Sequence, residues 1–361
     1  MSNIKDVARL AGVSISTVSN VLNSTKFVSE ELRAKVLFAA KELNYEANPI
    51  AHSMKNKKSK TIGIITANMC DLFYPYIVRA IDEVLSSHGY NIIIFDSHSN
   101  GDIFSTIHNE KRGFKKLIAN KVDGIIFTSS VPENLENAYF KSIRKLIAAS
   151  SKKIELVSIL RNFTKHDVTS VFTDTFSASS AAVEHLFSEG CKNIGHITGP
   201  DYLKVSSDRL HAFKTVVTSR GIPYNEKTMV AFGDFSHQSG YMNTKLLLKA
   251  NPSIDGIFAA NDQMAVGVLK ALSEAGKKVP GDIKVIGYDN AFISSILEPS
   301  LSTVDVDKIA IGQKAAAVLL EQMETKDSAD VNAKEVIVPH KLVIRKSTSP
   351  DAPEDWITTE W

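Results

Sequence analysis

One segment of this chain is written twice. Ser59-Lys60-Thr61-Ile62-Gly63-Ile64-Ile65-Thr66 returns 132 residues later as Cys191-Lys192-Asn193-Ile194-Gly195-His196-Ile197-Thr198. Val122-Asp123-Gly124-Ile125 returns as Ile254-Asp255-Gly256-Ile257, and Gly89 as Gly221, at the same offset. Each pairing is weak alone, because strand–glycine patterns recur by chance. Three landmarks at one offset point to two homologous lobes. Around them, short β-rich runs (62–66, 92–95, 122–127, 194–197, 254–259 and 283–287) alternate with helical stretches. That alternation reads as an α/β body with mostly parallel sheets. Two doubly wound lobes leave a cleft where the carboxyl ends of strands meet.

The first sixty residues follow a different pattern. They hold ten Lys and Arg against five acids, whereas the whole 361-residue chain carries a formal net charge of +2. The remainder is therefore −3. A basic end on a mildly acidic body fits a polyanion bound at one end, and equally a solvated basic surface. Ile4, Val7, Ala8 and Ala11 recur at helical spacing, and Gly12 ends the turn. Ser14 is placed to cap a second helix that turns Val18, Val21 and Leu22 inward. A third helix opens at Ser29 with Glu30 and Glu31 in its first turn, and its expected buried stripe is Leu32, Val36, Ala39, Ala40 and Leu43.

Two short helices joined by a tight turn, then a support helix, make a helix-turn-helix unit. The second helix exposes Ile15, Ser16, Thr17, Ser19 and Asn20, short side chains suited to base edges, and Asn pairs well with adenine. The same periodicity fits a three-helix bundle with no nucleic-acid role.

The residues also carry a resemblance. The run AGVSISTVSNVLN (11–23), with Val28-Ser29 and Glu42-Leu43-Asn44-Tyr45, resembles the headpiece of the lac repressor / purine repressor family. Asn48-Pro49-Ile50-Ala51-His52-Ser53-Met54 is similar to that family's hinge, with His52 and Met54 in place of the usual Arg and Leu. The likeness continues through Asn261-Asp262-Gln263-Met264-Ala265-Val266-Gly267, Gly287-Tyr288-Asp289-Asn290 and Leu342-Val343-Ile344-Arg345, and covers residues 3 to about 345. It implies an all-α helix-turn-helix headpiece plus an α/β body of two doubly wound lobes, like a periplasmic binding protein. The boundaries expected are 1–47 for the headpiece, 48–60 for a hinge helix and linker, and 61–345 for the effector-binding and dimerisation body. Within the body, the N-lobe is expected at about 61–160 and 291–322 and the C-lobe at about 161–290 and 323–345. The polar tail 346–361 reads as disordered, and it has no leucine heptads to build a tetramer.

DNA contacts are expected from Lys5, Ser14, Ile15, Ser16, Thr17, Ser19, Asn20, Lys26, Tyr45, Met54 and Lys55. Met54 is expected to act as an apolar wedge in the minor groove. In the cleft, Phe73 and Tyr74 follow the first strand, Ser97 the second, Asn261 the run 254–260 and Asp289 the run 283–288. Arg209 and Phe235 complete the set. Residues similar to these, Ser97 apart, line the family's effector pocket. Arg, Asn and Asp offer directional bonds to hydroxyls, and an aromatic face covers a sugar's C–H side. Singly, each has an ordinary alternative: Phe73 and Phe235 as core, Asn261 as a helix cap, Arg209 and Asp289 as a pair. There are departures too. Leu160-Arg161 stands where an Asp often precedes the Arg, and Thr175 follows Asp174 where Asn is usual. Leu203 and Val205 replace polar residues of the purine-binding members, which favours a sugar or sugar derivative.

The expected function is a DNA-binding repressor, a homodimer on a near-palindromic double-stranded operator, controlled by a small carbohydrate effector. Two alternatives stand beside it. A periplasmic solute receptor needs a secretion signal and no headpiece; an enzyme needs a catalytic motif, and no dinucleotide fingerprint, phosphate loop, nucleophile elbow or zinc-protease motif occurs. Neither cofactor nor metal is expected. Cys70 and Cys191 lack metal-ligand spacing and read as reduced and structural. No apolar run approaches a bilayer span, so no membrane is expected and the setting is read as cytoplasmic.

Overall fold

The computed structural model describes residues 3–23, 26–45, 59–98, 102–150, 152–324 and 333–356. The chain divides into two compact units, 1–60 and 61–361.

Among its described residues the first unit holds three helices: α1 (Ile4–Ala11), α2 (Ile15–Asn23) and α3 (Glu30–Glu42). Each start and stop has a local cause. Asn3 Oδ1 accepts from the Lys5 N–H at 2.9 Å while Asp6 Oδ2 accepts from the Asn3 N–H at 3.0 Å, a reciprocal capping box. Gly12 ends α1 at φ 65°, a left-handed conformation that glycine adopts without strain. Ser14 Oγ accepts from the Thr17 N–H at 3.1 Å and opens α2. Val7, Val18, Val21, Val36, Ala39 and Ala40 form the core. Leu32 departs from the expected stripe: it is 36% exposed, because the bundle closes on Val36, one turn further along α3. The hinge segment, with Asn48, Met54 and Lys55, lies outside the described residues.

Among its described residues the second unit contains two six-stranded sheets. The first uses β1 (Thr61–Thr66), β2 (Asn91–Asp96), β3 (Gly124–Phe127), β4 (Glu155–Ile159), β5 (Thr169–Phe172) and β11 (Glu335–Ile337), in the order β11-β5-β4-β3-β1-β2. The second uses β6 (Ile194–Thr198), β7 (Val230–Phe232), β8 (Gly256–Ala259), β9 (Lys284–Tyr288), β10 (Ser302–Asp305) and β12 (Lys341–Val343), in the order β12-β10-β9-β8-β6-β7. All pairings are parallel except β10 with β12. The sequence repeat is a repeat of hydrogen bonding. Ile62 stands opposite Gly124 in one lobe, and Ile194 opposite Gly256 in the other. The Asp123 N–H donates to Thr61 O, and the Asp255 N–H to Asn193 O, at 2.8 and 3.0 Å.

The strand ladders correct the expected lobe boundaries. β5 pairs with β4, so residues 161–172 belong to the N-lobe. β10 pairs with β9, so 302–305 belong to the C-lobe. β11 then returns to the N-lobe beside β5, and β12 to the C-lobe beside β10. The helix Lys308–Glu324 packs its Ile311, Ala315 and Leu319 into the N-lobe core with Ile77 and Ile81. Gly312 permits this approach: a Cβ there would stand 2.6 Å from Ile77 O.

The expected disordered tail is also corrected over residues 346–356, while 357–361 lie outside the described residues. Ser347 and Thr348 are fully buried, and residues up to 356 fold back on the C-lobe. The cause is Arg345, only 1% exposed, whose guanidinium needs partners. It finds Asp355 with two bonds of 2.7 Å, Ser294 Oγ and Leu301 O at 2.9 Å, and Asn290 Oδ1 at 3.1 Å. Both cysteines are free, Cys191 buried and Cys70 exposed. Among the described residues no helix is long and apolar enough to cross a membrane.

Candidate functional site

The headpiece presents the expected residues unevenly. Lys5, Ser14, Ile15, Ser16 and Lys26 are exposed, while Thr17, Ser19 and Asn20 are half-buried along α2. Ser14 Oγ lies 2.7 Å from Ser16 Oγ and 2.8 Å from Thr17 Oγ1, so these hydroxyls form one cluster at the start of α2. Tyr45 is half-buried against the bundle core, and its N–H donates to Ala40 O at 2.8 Å.

In the body, a cavity of about 850 Å³ lies between the lobes. Its wall is made by the loops that leave the carboxyl ends of β1, β3, β4 and β5 on one side and of β6 to β9 on the other. That is where open parallel sheets place ligands, since helix N-termini and loop backbone converge there. Phe73, Tyr74, Arg209, Phe235, Asn261 and Asp289 all line it.

Arg209 is 7% exposed and fixed on several sides. Its Nη1 donates to Ala260 O at 2.5 Å, and its Nη2 lies 3.8 Å from Asp289 Oδ1. The guanidinium carbon sits 3.9 Å from the Tyr288 ring centre and 5.9 Å from that of Phe235. Its Nε is buried with no hydrogen-bond partner among the described residues. A buried donor without a partner is uncommon and marks where a ligand or water completes the bonding.

Asp289 adopts φ 102° and Phe235 φ 68°, conformations costly for residues with a Cβ. The surrounding structure holds them. The Asp289 N–H donates to Val304 O at 2.8 Å, and its carbonyl accepts from Lys308 Nζ. Burial pushes the Asp289 carboxyl up to about 6, against the opposing pull of Arg209 and Lys308. Behind it, Asp262 is fully buried and pushed up to about 7 by burial and by Asp289. It accepts from Thr303 Oγ1 and the Ala291 N–H, each at 2.7 Å. Gly287 makes room for it, since a Cβ there would stand 2.1 Å from Asp262 Oδ1.

Asn261 does two structural jobs at the wall. Its Oδ1 caps the helix Asp262–Glu274 by accepting from the Met264 N–H at 2.8 Å, and its Nδ2 donates to Phe235 O at 3.2 Å. Phe73 and Tyr74 meet edge to face, with centroids 5.5 Å apart. Burial, then the nearby Asp71 charge, raises the Tyr74 phenol above its ordinary value.

Ser97 is the exception. It is 1% exposed, and its Oγ and N–H both donate to Thr66 O, at 2.8 and 2.9 Å. It ties the end of β2 to β1 and does not line the cavity, because β2 is the edge strand on the far side of β1.

The sequence reading passed over Asp71 and left Arg161 without a role. Asp71 Oδ1 accepts from the Phe73 and Tyr74 N–H groups at 2.9 and 3.0 Å, which seats both aromatics. An Asp three residues before the first helical residue, Tyr74, was the available signal. Arg161 lines the cavity with its Nη1 donating to Val131 O at 2.5 Å and Ser129 O at 3.1 Å. Its Nη2 donates to the buried Glu136 at 2.8 Å, which also meets His166 Nε2 at 3.0 Å. Leu160 lines the cavity where the resemblance led to the expectation of an Asp. No group of metal-ligating side chains occurs among the described residues.

Comparison with known proteins agrees with both units. The pattern for bacterial regulatory proteins of the lacI family matches residues 3–48, and that for a periplasmic binding protein-like domain matches 183–348. The chain is 32% identical over 348 residues to a ribose operon repressor of Halalkalibacterium halodurans, covering 96% of this chain and 97% of that one. It is 31% identical over 350 residues to catabolite control protein A of Priestia megaterium, covering 96% and 98%. Among solved structures, the lac repressor dimer bound to operator and the anti-inducer ONPF superposes with a TM-score of 0.84 at 28% identity, covering 96% and 99%. A transcriptional regulator CelR–cellobiose complex superposes at 0.69 and 25% identity, covering 96% and 100%. With a capped helix-turn-helix unit, two repeat-related lobes around one cavity and relatives alike along nearly their whole length, this chain belongs to the lacI family of bacterial regulatory proteins and is a DNA-binding transcription regulator.

Proposed function

We propose that the protein is a repressor that binds a near-palindromic operator as a homodimer and is controlled by a sugar or sugar derivative held between its lobes. The observation that carries the effector class is the pairing of fixed directional groups with aromatic faces. Arg209 and Asp289 meet at the cavity wall with Phe73, Tyr74 and Phe235 around them. Adjacent hydroxyls of a sugar suit the first pair, and its C–H face suits the rings. Leu203 and Val205 give apolar wall where a purine's ring nitrogens would need polar partners. The relatives support the reading by their names, a ribose operon repressor and a cellobiose complex among them. Isologous dimers suit two-fold sites, because one headpiece makes too few contacts for useful specificity.

The test has two parts. Selection from random duplexes should return a two-fold site, and calorimetry with neutral sugars, sugar derivatives and purine bases should find one sugar ligand that alters operator affinity. Binding by a purine base alone, with no sugar active, would replace the effector class. A non-palindromic consensus bound by a monomer would refute the dimer.

A further inference from the structure

We propose that the basic end of the N-lobe is a second DNA-backbone surface, meeting phosphates that flank the sequence read by the headpiece. The inference rests on the chain's being a DNA-binding regulator and goes beyond the headpiece and the cleft.

The charge is concentrated. Residues 103–153 carry ten Lys and Arg against four acids, a net +6, in a body whose total from residue 61 onward is −3. Two of those acids are turned inward. Glu110 is 1% exposed on Ser129 Oγ and the Ser130 N–H, and Glu136 is 2% exposed on Arg161 and His166. Of the ten cations, Arg144, Lys152 and Lys153 have acidic partners, Asp167, Asp123 and Glu155. The other seven form no ion pair among the described residues.

Their spacing argues against an ordinary solvated face. On the helix Ile103–Ala119, Lys111 and Lys115 stand four apart, as do Arg112 and Lys116; on the helix Glu136–Ala148, so do Lys141 and Lys145. Like charges at this spacing repel and destabilise a helix. A solvated face gains nothing from three such pairs, whereas a face that meets a polyanion does. Aromatic rings hold several cations in place. Lys111 lies 5.8 Å from the Tyr139 ring centre, and Arg112 and Lys116 lie 5.7 and 5.6 Å from that of Phe95.

The topology selects DNA as the polyanion. β1 to β4 are parallel and in register, so Thr61, Asn91, Gly124 and Glu155 mark one end of the lobe. Lys115 and Lys116 end the helix before β3, Lys121 follows, and Lys145, Lys152 and Lys153 lead into β4. The chain enters the body at this same end. The Asp123 N–H donates to Thr61 O at 2.8 Å, and Lys152 Nζ bonds both Asp123 and Lys121 O. Residues 46–60 link the headpiece bundle to that point, a contour of at most about 50 Å. The DNA-binding unit is therefore joined to the body beside the basic end, and DNA is a polyanion with a charge about every 1.7 Å along its axis.

The test uses the full chain and its selected operator in two duplexes, one of about 20 base pairs spanning the two half-sites and one of about 60 with flanks. The variant combines Lys115→Glu, Lys116→Glu, Lys141→Glu and Lys145→Glu. A control of equal charge places Lys227→Glu, Lys249→Glu, Lys277→Glu and Lys278→Glu on exposed C-lobe positions. For the wild type, the fall of log affinity with log salt should steepen on the long duplex by about 0.9 per phosphate met, or about 2–4 in all. The N-lobe variant should bind the short duplex like the wild type, lose that extra slope, and bind the long duplex at least about tenfold more weakly at low salt. Should the quadruple variant fold poorly, the pairs Lys115→Glu/Lys116→Glu and Lys141→Glu/Lys145→Glu should each remove part of the slope. Equal slopes on both duplexes for the wild type, or equal losses in the control, overturn the proposal. So does unchanged binding by a folded variant, which leaves this face to an acidic protein. A wild type that binds neither duplex overturns the DNA-binding reading itself.

Discussion

The guanidinium carbon of Arg209 sits over the ring of Tyr288, 3.9 Å from its centre. Tyr288 is itself 2% exposed and belongs to the C-lobe core, so the core fixes the position of the cleft's principal cation. The next residue along the chain is Asp289, which turns back at φ 102° to face the same guanidinium. Two consecutive residues thus place an aromatic face against the cation and supply its counter-charge. Such a site is preorganised, and little side-chain entropy remains to be lost when a ligand arrives.

Arg209→Ala and Asp289→Ala should therefore abolish the effector response and leave operator affinity within about twofold. Each removes a charge-assisted contact of about 1.5–3 kcal/mol, roughly ten- to hundredfold in effector affinity. Arg209→Lys should be nearly as damaging, since an ammonium offers neither the planar stack nor the fork of donors. The measurement is operator retardation with and without effector, beside a thermal melt. Loss of operator binding in folded protein would make these residues structural.

Effector affinity should depend on pH through Asp289, whose carboxyl is pushed up to about 6 chiefly by burial. A sugar hydroxyl donates to the ionised form, so affinity should be flat above pH 7 and fall by up to about tenfold per unit below 6. The free protein has the opposite sign. A carboxyl raised above its unfolded value adds stability below about 4 that is lost as pH rises through about 6, and Asp262 does the same through about 7. His196, lowered to about 3 by burial, opposes both on acidification from about 6.5. The comparison therefore needs Asp289→Asn, which should flatten the affinity profile whatever the melting curve does. A profile of the same shape in that variant would remove Asp289 from the linkage.

Much of this architecture was legible because it is written in local chemistry. The 132-residue repeat fixed which strands correspond, and the hydrogen bonds of Asp123 and Asp255 reproduce it. The headpiece helices announced themselves through Gly12 and Ser14, whereas the Asn3 cap of α1 was missed. The strand exchange between lobes was not legible, because β5, β10 and β11 are three or four residues long and their allegiance depends on ladders between distant segments. Ser97 was misplaced because following a strand does not decide whether that strand borders the cleft. Arg345 ends a recognisable motif, yet its burial and its hold on Asp355 depend on segments from three parts of the chain.

Asn20 lies on α2 among the residues expected to face base edges, and its amide matches the donor–acceptor pair of adenine. Asn20→Ala should cost about 1–3 kcal/mol per half-site and relax preference at a single base pair. Lys5→Ala, by contrast, should weaken all sequences alike and lower the salt slope by about one. Selection from random duplexes separates the two effects. The same consensus from wild type and Asn20→Ala would show that Asn20 reads no base.

The last folded residues should matter to the body's stability. Arg345 is among the largest fully buried side chains, and Asp355 supplies its ionic partner through two 2.7 Å bonds. Asp355→Ala leaves the guanidinium with only neutral acceptors, Ser294, Leu301 and Asn290. Removing one partner of a buried pair typically costs about 3–5 kcal/mol. Here the carboxylate is about a third exposed, so a loss below that range, about 2–3 kcal/mol, is expected. Arg345→Met with Asp355→Leu removes both charges at once and should recover most of the loss, since no uncompensated charge remains inside. Urea unfolding of wild type, single and double variants measures the coupling directly. Additive losses, with the double variant weaker than Asp355→Ala alone, would mean that the tail is held by Ser347 and Thr348 and not by the ion pair.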